Sequence, residues 1–395
     1  MKMELPVPVL HSLFALNQAG YEAYAVGGCV RDIMMGKEPM DWDITTSALP
    51  EETLAVFQSY RTIETGIRHG TVTVLIEDMP LEITTYRVDG DYSDGRHPDA
   101  VSFTRSLKED LRRRDFTVNA MAYHPHFGLV DPFHGQRDLK RKVIRCVGNP
   151  KKRFHEDALR ILRGLRFSST LGFSIHPATA STIHRLGDTL SRVSIERVST
   201  EFLKLLCGQN NQAVLTHYPD VLSTVLSDMN LTKNVEWLVF DDPLKNMTVL
   251  LFDTTPETAK EVCKQLRLSN RMTEDVVALV RHRKLPLEPT RSCVLRGLHV
   301  LGPRLVRELI AIKTVTDSIE SDEFCAVWER LIADNDCCYQ LKDLAVNGED
   351  LLSIGISDGP ELGAVLDRLL NAVMDGVCPN QKEELLKLAT KKPVQ

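Results

Sequence analysis

Gly27-Gly28-Cys29-Val30-Arg31-Asp32, followed by Asp41-Trp42-Asp43, is the stretch that decides the reading of this 395-residue chain. Residues 21–26 predict a strand before the glycine pair, and residues 30–35 predict a helix after it. A glycine pair at such a turn lets backbone amides approach phosphate oxygens without obstruction by side chains. The helix start adds a favourable dipole, and Arg31 can grip phosphate in a two-pronged fork. Residues 42–45 predict a second strand, on which positions i and i+2 point to the same side. Asp41 and Asp43 therefore face one pocket while Trp42 turns toward the core. Two carboxylates on one side repel unless a cation lies between them, and Mg2+ is the divalent ion that prefers oxygen ligands. Such an ion lowers the pKa of an attacking hydroxyl and steadies a pentavalent phosphorus.

Around this turn, residues 1–145 read as a mixed α/β unit. Residues 5–19 have helical spacing, residues 71–77 and 81–87 alternate with period two, and Asp78-Met79-Pro80 between them signals a hairpin. Residues 89–98 are polar and turn-rich, which predicts a flexible loop. Residues 106–123 read as helix. Beyond about residue 150 strand signals nearly vanish, and segments of helical period follow one another, among them 154–171, 194–206, 294–301, 303–313 and 322–333. The fold class is therefore an α/β head, a mixed or antiparallel sheet with helices, followed by an all-α neck, body and tail. The expected boundaries are 1–150 for the head, 151–208 for the neck, 209–315 for the body and 316–395 for the tail. A chain of this length exceeds one compact core.

Composition is that of a globular protein, 43% hydrophobic and 26% charged. No apolar run reaches the roughly 18 residues that a membrane span requires. The opening Met1-Lys2-Met3-Glu4-Leu5-Pro6 lacks an apolar signal core, so a cytoplasmic location is expected. The nine cysteines are odd in number, irregularly spaced and without a CxxC pair, which indicates free thiols rather than disulfides or a zinc site. A net charge of -6 argues against nucleic-acid binding over the whole surface. Residues 137–166 nevertheless carry eleven Lys and Arg against Asp138, Glu156 and Asp157, and this stripe predicts one surface facing a polyanion.

GGCVRD followed by DWDITTSALPEE resembles the signature of the class II tRNA nucleotidyltransferases, the CCA-adding enzymes, and of their poly(A) polymerase relatives. The resemblance extends over nearly the whole chain: TGIRHGTV at 65–72, EITTYR at 82–87, the DGRHP loop, RRDFTVNA at 113–120, DPFHG at 131–135, EDALR at 156–160 and VNGEDL at 346–351. It implies that Gly28 and Arg31 contact the triphosphate and that Asp41 and Asp43 are the catalytic metal ligands. Arg114 and Asp115 match the pair that reads the ribose, with Asp115 accepting from hydroxyls and Arg114 reaching phosphate or sugar. Glu82, on the neighbouring strand of the hairpin, is either a third carboxylate or a structural ion-pair partner. Arg163 and Arg166 match further nucleotide-contacting positions. A straight helix puts Arg166 roughly opposite Asp157, so it faces either nucleotide or tRNA phosphate.

Base choice is readable in EDALR. On a helix, Asp157 and Arg160 are i and i+3 and share a face. Asp157 can accept from an exocyclic amine while Arg160 donates to a ring nitrogen or carbonyl. Cytosine and adenine both offer an amine beside a ring acceptor; uracil and guanine offer a carbonyl and a ring N–H, leaving buried groups unpaired at roughly 1–3 kcal/mol each. The resemblance implies the same template, and with it the addition of C, C and A to the tRNA 3′ end from CTP and ATP, with Mg2+ and release of pyrophosphate. A-adding, CC-adding and poly(A)-polymerase members form the alternative. CC-only relatives lack a full loop at residues 89–98, so its presence with Arg96 favours addition of the terminal A. The His-Asp signature of a fused phosphohydrolase is missing from the sequence. The implied partners are the tRNA 3′ end and elbow, ATP and CTP, without a membrane. The helical body and tail together, whose basic residues include Lys264, Arg267, Arg271, Arg281, Arg283 and Lys284, are expected to hold the elbow through the RNA backbone. The sequence is compatible with a homodimer.

Overall fold

The structure is a computed structural model that describes residues 3–90, 101–226, 233–318, 320, 322–334 and 336–390. The chain forms two compact units, Met1–Pro243 and Leu244–Gln395.

The first unit opens with α1 (Val7–Gln18), which buries Val9, Leu13 and Leu16 against β1 (Ala23–Val26). Next come α2 (Gly28–Met34), β2 (Asp43–Thr46), α3 (Pro50–Val56), β3 (Arg61–Ile63), β4 (Thr71–Ile76) and β5 (Met79–Thr85). Then follow β6 (Arg87–Asp89), β7 (Val101–Phe103), α4 (Leu107–Arg112), β8 (Ala122–His124), β9 (Gly128–Val130) and α5 (Gly135–Lys140). The described residues form a seven-stranded mixed sheet in the order β3-β4-β5-β2-β1-β8-β9. Its one parallel pairing is β2 with β5. α4 closes one side, where Leu107 and Leu111 pack with Val26, Tyr86 and Ala122.

The hairpin appears as its alternation predicts, with Val72, Val74 and Ile76 buried on one side of β4. Its turn is Glu77-Asp78, both at positive φ (50° and 62°), as in the two-residue turns that match strand twist. Met79 and Pro80 therefore belong to β5. Pro80 precedes the stretch that β2 reaches, so its missing N–H removes no ladder bond.

Residues 106–123 depart from the predicted helix. α4 ends at Arg112, Phe116 is extended and bridges Cys146, residues 117–119 form one 3-10 turn, and β8 begins at Ala122. The reason is local: the Asp115 carboxylate accepts from the Phe116 backbone N–H, a bond that competes with the helical ladder.

The unit continues through β10 (Val143–Ile144), α6 (Pro150–Glu156), α7 (Leu159–Leu171), β11 (Ser174–Ile175), α8 (Pro177–Leu186) and α9 (Ile195–Leu206). β10 and β11 make a short parallel pair that the sequence did not signal. The helix expected over 154–171 is two helices, because Asp157 between α6 and α7 is extended (φ -146°, ψ 107°). α7 lies on α9, and the chain leaving α9 crosses α7 at Gly208. A Cβ there would lie 2.0 Å from Ser169 Oγ and 2.5 Å from the Ser169 carbonyl carbon.

The second unit is built of helices, including Pro256–Gln265, Asn270–Arg281, Arg291–Thr316, Asp322–Ala333 and Pro360–Met374. The longest is interrupted at Gly302 (φ 69°, ψ 166°) before Pro303, so the periodic segments 294–301 and 303–313 are its two halves. Val294, Val306, Leu309 and Phe324 are in its buried core. Among the described residues no helix is long and apolar enough to cross a membrane, and the nine cysteines are free.

Candidate active site

Asp43 opens β2, and the parallel register with β5 sets Glu82 directly beside it. Trp42 is buried and Asp41 is exposed on the bend before the strand, so the alternation read from sequence holds although the strand starts one residue later. Burial pushes the Asp43 carboxyl above its ordinary range; Arg114 opposes that push and Asp41 adds to it. Glu82 is raised by burial, then by Asp43 and Asp41. The electrostatics therefore group Glu82 with the aspartates, since its charged neighbours are carboxylates. Among the described residues no three or more His, Cys, Asp or Glu close around an ion by themselves. An oxygen donor set of this kind fits a hard divalent cation whose coordination is completed by substrate phosphates.

The glycine turn is shaped by Gly27 more than by Gly28. Gly27 sits at φ 84°, and a Cβ on it would lie 2.8 Å from Arg114 Nη1 and 3.7 Å from Asp43 Oδ2. Glycine at 27 thus lets Arg114 cross the turn beside the Asp43 carboxylate. A Cβ on Gly28 would meet only Arg31 Nη2, at 3.7 Å. Arg114 is anchored 3.8 Å from the fully buried Asp110, and its own buried Nε has no hydrogen-bond partner. A buried donor in that position suits an anion arriving between the turn and Asp43.

Arg31 is less available. Its Nε and Nη2 donate to Asp32 at 2.8 and 2.9 Å, and its Nη1 donates to Asn119 Oδ1 at 2.6 Å. Asn119 in turn donates to Asp115 Oδ1 (3.2 Å), which also accepts from the Phe116 N–H. Asp115 Oδ2 receives both Nε and Nη2 of Arg163, at 2.9 and 2.7 Å. Four donors fill a carboxylate. The ribose-accepting role that the sequence predicts for Asp115 therefore meets a saturated group, which here acts as the post orienting Asn119 and Arg163. Burial works against its charge, but Arg163 and Asn119 overcome this and hold the carboxyl at about 2.

Asp157 and Arg160 do not share a helical face, because Asp157 lies in the break before α7. Its Oδ1 accepts from the Leu159 N–H at 3.0 Å, and its Oδ2 from Arg197 Nη2 at 2.8 Å. Arg160 is clamped by Glu156 (2.6 Å) and by the carbonyls of Arg113 and Arg153. Glu156 also binds Arg153 at 2.6 Å. Arg166 pairs with Glu201 at 2.9 Å, stacks 3.6 Å over the Phe167 ring, and lines a cleft of about 890 Å³ with Arg31, Lys37 and Lys204. The basic stripe is consequently not one surface. Arg145, Arg153, Arg160, Arg163 and Arg166 are paired with carboxylates, while Lys140, Arg141, Lys142, Lys151 and Lys152 are exposed. Of the loop read at residues 89–98, residues 91–98, Arg96 included, lie outside the described residues.

Sequence reasoning passed over Asn119, Arg197 and Glu201, and took Gly27 and Gly28 as one pair without singling out Gly27. Asn119 sits inside the RRDFTVNA string without a role attached. Arg197 and Glu201 lie beside the buried Val198 and Phe202 on α9, and charges set at the border of an apolar helix face were the available signal.

Residues 23–145 match the Poly A polymerase head domain, residues 172–217 the RNA and SrmB-binding site of polymerase A, and residues 245–389 the tRNA nucleotidyltransferase domain 2. The CCA-adding enzyme of Levilactobacillus brevis is 36% identical over 98% of both chains. That of Enterococcus faecalis is 36% identical over 95% of this chain and 93% of its own. The crystal structure of the Bacillus stearothermophilus CCA-adding enzyme in complex with CTP superposes with a TM-score of 0.85 at 30% identity, covering 98% of this chain and 97% of that one. With such identity sustained from the glycine turn to the last helices, this chain belongs to the CCA-adding enzyme family.

Proposed function

We propose that this chain adds C, C and A to the 3′ end of tRNA, taking nucleotides from CTP and ATP and releasing pyrophosphate. The observation that carries the reading is the Asp43–Glu82 register beside the Gly27 turn, in a chain aligned end to end with enzymes named for CCA addition. Mg2+ is the ion that Asp41 and Asp43 would hold with Glu82 beside them, and when bound it acidifies the 3′-hydroxyl and steadies the pentavalent phosphorus. Arg114 offers its unpartnered Nε to the triphosphate, and Gly28 leaves room for that chain to lie on the backbone. Arg31 acts behind them, holding Asn119 and so the Asp115–Arg163 pair. Asp157 and Arg160 read the base edge, each fixed by a counter-charge of its own. The tRNA elbow is held by the second unit, where Lys264, Arg271, Arg281 and Lys284 are exposed, through shape and phosphate contacts. The setting of this work is the cytoplasm.

Purified protein is offered transcripts ending at the discriminator base, at C or at CC, with each NTP singly and with Mg2+. Stepwise addition of C, C and A is expected. Failure to add C to the first transcript would sink the reading, and long A tails, arrest at CC or A addition alone would assign the chain to the corresponding alternative.

A further inference from the structure

α9 carries Arg197 and Glu201 four residues apart, hence on one face, and that face lies against α7. The two charges go to different halves of the nucleotide site. Glu201 binds Arg166 at 2.9 Å and approaches Arg163 at 3.7 Å. Arg197 goes to Asp157, with Nη2 2.8 Å from Oδ2 and Nη1 3.5 Å from Oδ1. Neither member of that pair is freely solvated; their side chains are 25% and 14% exposed.

We propose that Arg197 is a specificity-positioning residue: it fixes the Asp157 carboxylate in orientation and as an acceptor only, and so sets the preference for bases bearing an exocyclic amine. The inference rests on the reading of Asp157 as the group that meets that amine.

A guanidinium has donors and no acceptor, so the Arg197 contact forms only while Asp157 accepts. The Leu159 N–H takes a further position on Oδ1. Of a carboxylate's four acceptor positions, these bonds leave one, on Oδ2, with a direction set from two sides. One aimed lone pair matches one amine N–H of cytosine or adenine. A uracil or guanine carbonyl arriving there meets an acceptor with an acceptor. Asp157 is extended (φ -146°), and although its N–H still reaches the Arg153 carbonyl and its own carbonyl accepts from the Arg160 N–H, those backbone bonds leave the carboxylate's direction to its side-chain partners. Without Arg197 the carboxylate keeps only the Leu159 N–H and can turn about that bond, and the refusal of carbonyl-bearing bases weakens before the transfer chemistry does.

The test uses the full chain and transcripts ending at the discriminator base or at CC, comparing kcat/KM for CTP with UTP and for ATP with GTP. Arg197→Met is expected to lower both ratios at least tenfold, and Arg197→Lys, which restores a cation without the fork, to lower them less. Glu201→Gln, on the same helix and equally close to α7, is expected to raise KM for all four nucleotides and to move the ratios less than twofold. Unchanged ratios in a folded Arg197→Met protein would overturn the proposal, as would an equal loss of discrimination in Glu201→Gln, which would mark a general loosening of the site. Should Arg197→Met not fold, Arg197→Lys carries the test alone: a ratio equal to that of the unmodified chain overturns it. Asp157→Ala separates the two levels. If it keeps base choice, the reading of Asp157 fails; if it loses base choice while Arg197→Met keeps it, only the role of Arg197 fails.

Discussion

Asp43 and Glu82 stand near one another and near Asp41, and burial already works against the charges of Asp43 and Glu82, an arrangement that favours uptake of a cation. Replacing either aspartate by Ala is expected to lower incorporation by on the order of a thousandfold, the several kcal/mol that metal assistance supplies. Circular dichroism and thermal melting should stay near those of the unmodified chain, since removing one carboxylate relieves repulsion. Asp115 behaves in the opposite sense. Its carboxyl is held at about 2, below the ordinary 3.8, so its contribution to stability is fully present above about pH 4 and is lost as pH falls through 2. That contribution is about 2 kcal/mol. Urea titrations of the chain and of Asp115→Asn should therefore differ by about that amount at pH 6 and converge toward pH 2; a pH-independent difference would contradict the pairing with Arg163.

At the scale of elements, periodicity located most helices and the hairpin, because a repeat of 3.6 or 2 reports which side is buried regardless of what it is buried against. The head's carboxylates were legible for the same reason, Trp42 being the buried member of an alternating triplet. Three kinds of feature escaped. The break at Asp157 and the extended Phe116 are caused by side-chain oxygens that capture backbone N–H groups, a competition invisible in an apolar pattern. β8 and β9 are three residues each, too short for a period to show. Pairings across the fold, such as Arg197 with Asp157, depend on which helix lies on which, and local sequence does not encode that. The α7–α9 packing offers its own test at Gly208, where a methyl group would collide with Ser169. Gly208→Ala is expected to cost about 1–3 kcal/mol of stability, read by urea denaturation. It should also weaken base discrimination, because α9 is the element that carries Arg197.

For the molecule as a whole, the groups proposed to meet the nucleotide all belong to the unit Met1–Pro243, and the match to the tRNA nucleotidyltransferase domain 2 starts at residue 245, one residue into the other unit. Binding of tRNA and choice of base should then respond differently to salt. Affinity for tRNA is expected to fall steeply between 50 and 200 mM salt, on the order of tenfold or more, as released counterions are replaced. The CTP-to-UTP ratio should stay constant over the same range, since partly buried pairs such as Arg197 with Asp157 are screened much less than exposed charges. Filter binding and single-nucleotide kinetics on one preparation measure both; a ratio that collapses with salt would place base choice on an exposed surface. The boundary near residue 243 also has a genetic meaning. On the proposed division, base choice and the grip on the tRNA elbow are inherited in consecutive stretches of the gene, so one crossover between them would give an old alphabet a new page.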